Sequence, residues 1–207
     1  MNIFATHPIR AVLWDFDGVL NANAPRGRYL WHASFDAQFG HPVEGLVTRV
    51  FSDPDTLLTG AASLSDRIAA WIAATGAATT PQAVIDWWLA RDWHPDPQVI
   101  ALCRAVAKKG LRQAILTNAD RDRAAWITGR LPDLPGIEAV HASSLIGAAK
   151  PDAAAFAAAS AAFDLPPQVI LFVDDSSTNV NAAAKLGFQT FRLTSFSLDA
   201  LRAKIGR

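Results

Sequence analysis

Asp15 and Asp17 stand one residue apart at the end of an apolar run, Ala11-Val-Leu-Trp14, and Gly18 follows them. The run does not alternate, the pattern of a parallel strand covered on both faces. In an extended chain, side chains two apart share a side, so the two carboxylates are expected to face the same way. Carboxylates packed at a buried strand end repel each other and lose hydration unless a cation or a shared proton relieves them. The same four residues also read as a plain turn, because Asp and Gly are both turn formers.

Three further stretches repeat the pattern of an apolar run ending in chemistry. Residues 111–116 lead into Thr117-Asn118, Lys150 precedes Pro151, and residues 169–173 lead into Asp174-Asp175. Carboxylates suit Mg²⁺, a hard cation that takes oxygen ligands. A hydroxyl and an ammonium suit the oxygens of a phosphoryl group. One free carboxylate can then be a nucleophile and another a proton carrier. Taken singly, Thr117-Asn118 reads as a turn and helix cap, Lys150-Pro151 as a helix start, and Asp174-Asp175 as a cap cluster. Taken together, those readings require a polar cluster at every strand end for an unrelated reason.

The elements that would position these residues follow from the apolar periodicity. Strands are expected at 11–14, 111–116, 139–142, 169–173 and 189–193. Helices are expected from Asp96-Pro97 to Lys109, from Asp120 to Leu131, from Pro151 to Phe163, from Thr178 to Leu186 and from Leu198 to Ile205. This alternation implies βαβ units and a parallel sheet, whose ligands bind at the carboxyl ends of the strands. Between Leu20 and Trp93 no strand is legible. Helices are expected over 29–39, 43–51, 65–74 and 80–92, with Ser-Asp-Pro-Asp at 52–55 as a break. The fold class is therefore α/β, a Rossmann-like parallel sheet with an inserted helical cap. The core spans 1–20 and 95–207 and the cap 21–94, with joints near 21–27 and 92–97.

Lys+Arg and Asp+Glu are both 19, so electrostatic attraction to nucleic acid or to an anionic membrane is not the expected function. The single cysteine, Cys103, excludes an intrachain disulfide. Residues 1–10 hold no apolar signal-like segment and no run is long enough to span a bilayer, so a cytoplasmic protein, monomeric or homodimeric, is expected. The five histidines, His7, His32, His41, His94 and His141, show no metal-ligand spacing and read as structural or surface residues.

The four stretches in this order resemble the haloacid dehalogenase-like (HAD) hydrolases. Asp15-Phe-Asp17-Gly-Val is similar to the first motif of that family, Ile115-Leu-Thr117-Asn118 to the second, Lys150-Pro151 to the third and Phe172-Val-Asp174-Asp175-Ser176 to the fourth. The helical insert resembles the alpha-helical cap of the subfamily that includes phosphoglycolate phosphatase and beta-phosphoglucomutase. The resemblance implies that Asp15 is the nucleophile that becomes an aspartyl phosphate. It implies that Asp17 protonates the leaving alcohol and then activates water, its backbone carbonyl binding Mg²⁺. Thr117 and the Asn118 backbone N–H would hold the phosphoryl oxygens, and Lys150 would offset negative charge. Asp15, Asp17, Asp174 and Asp175 would form the metal site.

The expected activity is a Mg²⁺-dependent phosphatase on a small phosphorylated metabolite, a sugar phosphate among the candidates. A phosphomutase of the same family and a non-catalytic phospho-ligand binding module are the alternatives. Haloacid dehalogenation is disfavoured by Asp17, and a receiver domain by chain length and by the order of the acidic residues. In the cap, Trp31, Trp71, Trp87, Trp88 and Trp93 are expected to build a small core. Trp87 and Trp88 cannot both be buried equally, because neighbours on a helix lie about 100° apart. Arg26, Arg28, Arg49, Arg67 and Arg91 are candidates to recognise a leaving group, and Asn21 and Asn23 to touch substrate.

Overall fold

The computed structural model describes residues 7–206, so most of the N-terminal stretch read for a signal segment lies outside the described residues. Five strands form one wholly parallel sheet: β1 Ala11–Trp14, β2 Arg112–Thr117, β3 Ala139–Ala142, β4 Ile170–Asp174 and β5 Gln189–Arg192. Their order is β3-β2-β1-β4-β5, which puts the first strand in the centre. Trp14 lies level with Ile115 and with Val173, so the carboxyl ends of the three middle strands finish side by side. That register alone brings Asp15, Thr117 and Asp174 to one edge.

Side chains along β1 alternate between two apolar layers, as the pleat requires. Val12 and Trp14 face α6 (Pro97–Lys108), α7 (Arg121–Thr128) and α11 (Leu198–Gly206). Ala11 and Leu13 face α9 (Ala153–Phe163) and α10 (Ser177–Lys185). Both faces are covered, which explains why β1 is apolar throughout and β4 is apolar up to Val173.

Residues 32–90 form α1 His32–Phe39, α2 Val43–Val50, α3 Pro54–Leu58, α4 Leu64–Thr75 and α5 Pro81–Ala90. They share a separate apolar cluster around Phe35, Leu46, Ile68, Trp71 and Ile85. Ser63 and Thr80 cap α4 and α5 by accepting from Asp66 N and Ala83 N. The two joints run beside each other: Ala22 N donates to His94 O at 2.7 Å, and Asp96 N donates to Leu20 O at 3.0 Å. The helical unit leans on the sheet unit at two places. Trp126 of α7 packs into both apolar clusters, and Gly60, after α3, sits against the Ser144 carbonyl of α8 (Ser143–Ile146).

Two expectations are corrected. The break at 52–55 stands, with α2 ending at Val50, but Pro54 then opens α3, a helix not expected there; proline suits the first turn of a helix because no N–H is needed. The helix expected from Tyr29 begins at His32, after a short 3₁₀ turn at Pro25–Gly27. Among the described residues, no helix is long and apolar enough to cross a membrane.

Candidate active site

Asp15 follows β1 directly and is buried. Its Oδ1 accepts from the Phe16 backbone N–H at 2.7 Å and lies 2.7 Å from Lys150 Nζ. No donor among the described residues reaches Oδ2, which leaves one carboxylate oxygen anchored and the other free. Asp174 is fully buried with both oxygens engaged. Its Oδ1 accepts from Ser176 N at 2.7 Å, and its Oδ2 from Lys150 Nζ at 2.8 Å and Asn179 Nδ2 at 3.0 Å. Asp175 is exposed and its carboxylate accepts from no side chain among the described residues. It lies against Gly18, where a Cβ would come within 2.5 Å of Oδ2. Gly18 is required twice over, because its φ is +77°. The expected capping role at this strand end falls to neither aspartate: Ser176 accepts from Asn179 N at the start of α10.

Lys150 is buried between Asp15 and Asp174. Burial lowers the affinity of its amine for a proton, but the two carboxylates outweigh that and hold the ammonium above its ordinary range. Burial pushes the Asp15 carboxyl up to about 8, against the pull of Lys150 and with the help of the Asp174 charge. One ligand oxygen from each of Asp15, Asp174 and Asp175 falls within a 4.8 Å group, so three carboxylates face one ammonium, a formal charge of −2. An all-oxygen, strongly anionic set of this kind fits a hard divalent cation.

The loop after β2 holds Lys150 in place. Asn118 Nδ2 donates to Lys150 O, and Lys150 N donates to Asn118 Oδ1, both at 2.8 Å. The sequence points to the Asn118 backbone, whereas its side chain ties the second motif to the third. A reciprocal amide clasp across 32 residues leaves no local signal. Thr117 is buried at the same strand end. Asp15, Asp17, Thr117, Asn118, Lys150 and Asp175 line one cavity of about 330 Å³. The six side chains named from the sequence thus meet, with Asp174 behind them.

Asp17 belongs to a second charged centre that the sequence did not disclose. Its carboxylate stands outside the three-carboxylate group and faces Arg123 of α7. Oδ1 accepts from Arg123 Nη2 at 2.7 Å, Asn23 Nδ2 at 3.0 Å and Asn21 Nδ2 at 3.1 Å. Oδ2 accepts only from Arg123, at 2.9 Å. Arg123 also pairs with Asp92 Oδ2, and its guanidinium lies 5.3 Å from the Trp88 ring and 5.5 Å from that of Trp126. Nη1 has no oxygen partner among the described residues, and the two aromatic faces supply cation–π contact instead. Asp92 is fully buried, which raises its carboxyl pKa against the opposing charge of Arg123.

This centre corrects two expectations. Asn21 and Asn23 are fully buried; they hold Asp17 and Asp92 instead of lining a substrate surface. Two of the candidate arginines are used inside the helical unit: Arg67 donates to Val50 O and Thr56 Oγ1, and Arg91 donates to Trp87 O and covers its ring. β1 ends at Trp14 and the chain turns before Asp17, so the two carboxylates take different partners, while both line the one cavity.

A family model described as haloacid dehalogenase-like hydrolase matches residues 9–187. No curated protein matches the sequence. Several solved structures share the fold. A HAD-like family hydrolase from Porphyromonas gingivalis is 21% identical over 97% of this chain and 100% of its own, with a TM-score of 0.74. A HAD family enzyme from Bacteroides thetaiotaomicron, in complex with magnesium and inorganic phosphate, is 20% identical over 91% of this chain and 96% of its own, with a TM-score of 0.72. The L-2-haloacid dehalogenase of Xanthobacter autotrophicus, with chloropropionic acid covalently bound, is 19% identical over 96% of this chain and 82% of its own, at a TM-score of 0.66.

Proposed function

The chain belongs to the haloacid dehalogenase-like hydrolases, and within that family we propose that it is a Mg²⁺-dependent phosphohydrolase acting on a small phosphorylated metabolite. The observation that carries this reading is the −2 site of Asp15, Asp174, Asp175 and Lys150. Displacing a halide from a neutral carbon needs no cation beside the nucleophile, whereas a carboxylate approaching a phosphoryl dianion does. The B. thetaiotaomicron enzyme, with its magnesium and phosphate, is the relative whose bound groups suit this site.

Asp15, Asp174, Asp175 and the Asp17 carbonyl would hold Mg²⁺, and Asp174 would also steady Lys150. When bound, Mg²⁺ supplies charge neutralisation at the nucleophile and the phosphoryl oxygens. The free Oδ2 of Asp15 attacks phosphorus, and the alcohol oxygen departs. An aspartyl phosphate forms on Asp15. Lys150, Thr117 and the Asn118 N–H bind the phosphoryl oxygens as charge moves onto them. Asp17 gives a proton to the leaving oxygen and then takes one from the water that cleaves the aspartyl phosphate. Its Oδ2, with a single donor, is the oxygen with room for that proton.

Phosphate release from a library of phosphometabolites tests the reading. Turnover is expected with Mg²⁺, loss with EDTA, recovery on adding Mg²⁺ back, and none in Asp15→Asn. Metal-independent halide release from a 2-haloalkanoate, without phosphate release from any ester, would instead make the protein a dehalogenase.

A further inference from the structure

A second cavity of about 360 Å³ adjoins the phosphoryl site and shares Asp17, Tyr29 and Asn118 with it. Its helical-unit wall carries four aromatic rings, Tyr29, Trp31, Phe51 and Trp88, with Val47 and Leu58, and its other wall comes from Asp17, Asn118, Asp120 and Arg123. Asp17, at the boundary of the two, is the proton carrier of the proposed reaction, so the second cavity is where the leaving group must lie.

The charged side chains on its walls are already matched, and the Trp31 and Trp88 indole N–H groups and His32 Nε2, which have no partner among the described residues, are buried within the walls. Asp17 accepts from Arg123, Asn21 and Asn23. Both ends of the Asn118 amide are bonded to the Lys150 backbone. Asp120 Oδ1 caps α7 by accepting from Asp122 N and Arg123 N. Arg123 is matched by Asp17 and Asp92. Burial lowers the His32 pKa, which favours the neutral ring. The cavity therefore offers no free cation to an anionic leaving group. A polyhydroxylated one would exchange water for walls that are mostly ring and aliphatic surface. Flat apolar surface meets matching rings.

We propose that the substrate is the phosphate monoester of a compact, uncharged aromatic alcohol, its ring held among Tyr29, Trp31, Phe51 and Trp88. This rests on the phosphohydrolase reading above. It turns the expectation of a sugar phosphate into one of an aryl-bearing phosphate.

Benzyl phosphate and glucose 6-phosphate both release primary alcohols, so their comparison reports recognition of the leaving group more than the chemical step. With the Mg²⁺-loaded full chain, kcat/KM for benzyl phosphate is expected to exceed that for glucose 6-phosphate and for phosphoglycolate by about thirtyfold or more. Acetyl phosphate, too small to fill the cavity, serves as the internal reference. Phe51→Ala, on the cavity wall and away from the reacting groups, is expected to raise KM for benzyl phosphate several-fold and leave acetyl phosphate unchanged. Equal use of glucose 6-phosphate and benzyl phosphate, with acetyl phosphate hydrolysed, overturns the aromatic pocket and spares the phosphohydrolase. Equal effects of Phe51→Ala on benzyl and acetyl phosphate also overturn it. No turnover of any of the four removes both.

Discussion

Asp15 and Asp17 are separated by one residue and serve two centres built in opposite ways. The first has three carboxylates around one ammonium and is short of positive charge. The second has Arg123 between two carboxylates, with Asn21 and Asn23 filling the remaining acceptor sites and two indoles beside the guanidinium. One is open to a ligand and incomplete without a cation. The other is held together by the chain's own side chains, and its members come from both joints of the helical unit and from α7. The difference teaches that the proposed proton carrier is held by the joints, while the proposed nucleophile stands at the end of the sheet's central strand.

The largest expected effect separates the two centres by removing the ammonium. Lys150→Met leaves Asp15 and Asp174 buried without their cation, and breaking a buried pair costs about 3–5 kcal/mol. Loss of a charge donor at the phosphoryl group is expected to lower kcat by about a thousandfold. The variant should also melt well below the wild type, and Mg²⁺ should restore part of the loss, as a ligand of the folded state does. A folded Lys150→Met protein with a tenth of wild-type activity would mean that Lys150 serves packing alone.

Removing the guanidinium tests the second centre. Arg123→Met frees Asp17 and strands Asp92, and misplacing a catalytic group by an ångström can cost about a hundredfold. If Arg123 positions the proton carrier, the loss must depend on the leaving group. Benzyl phosphate, whose alkoxide needs a proton, should suffer the full drop in kcat, and p-nitrophenyl phosphate, whose phenolate departs unaided, much less. Adding Asp92→Asn removes the stranded charge and should recover stability without recovering that ratio. Equal losses for both esters would make Arg123 purely structural.

These two centres also mark how far the sequence could be read. Asp15, Thr117, Asp174 and Asp175 were legible because each ends or closely follows an apolar run, and a parallel sheet gathers such ends at one edge, whereas Lys150 stands beyond β3 and α8. The family resemblance then ordered their roles. The Asp17 centre was not legible, because it joins residues as far apart as 17 and 123. Arg123 lies in the first turn of a polar stretch, Arg121-Asp-Arg123, where nothing marks one arginine as buried. Asp92 reads as the frayed end of α5. The aromatic cavity was half legible. Adjacent Trp87 and Trp88 implied that one ring must leave the insert's core, and Trp88 lines the cavity. Which rings would join it depended on how the helical unit settles on the sheet, a tertiary matter. The five-residue α3 escaped because one turn carries too little periodicity to see.

The smallest expected effect concerns the seam where the two regions touch. Gly60 has φ of +75°, and a Cβ there would come within 2.5 Å of the Ser144 carbonyl oxygen, backbone that cannot swing aside. Gly76, which ends α4, has φ of +71° with nothing within 4 Å of its would-be Cβ. Alanine at either position pays a similar backbone penalty of about 1–2 kcal/mol, so the melting temperatures of Gly60→Ala and Gly76→Ala should fall by comparable amounts. Only Gly60→Ala should push the helical unit away from α8 and admit water beside Asp17. Its kcat for benzyl phosphate is expected to drop several-fold while Gly76→Ala stays near wild type, because closure over the reacting groups matters and helix strain does not. Equal kcat values in the two variants would show that the seat of Gly60 on Ser144 has no part in aligning Asp17 with Asp15.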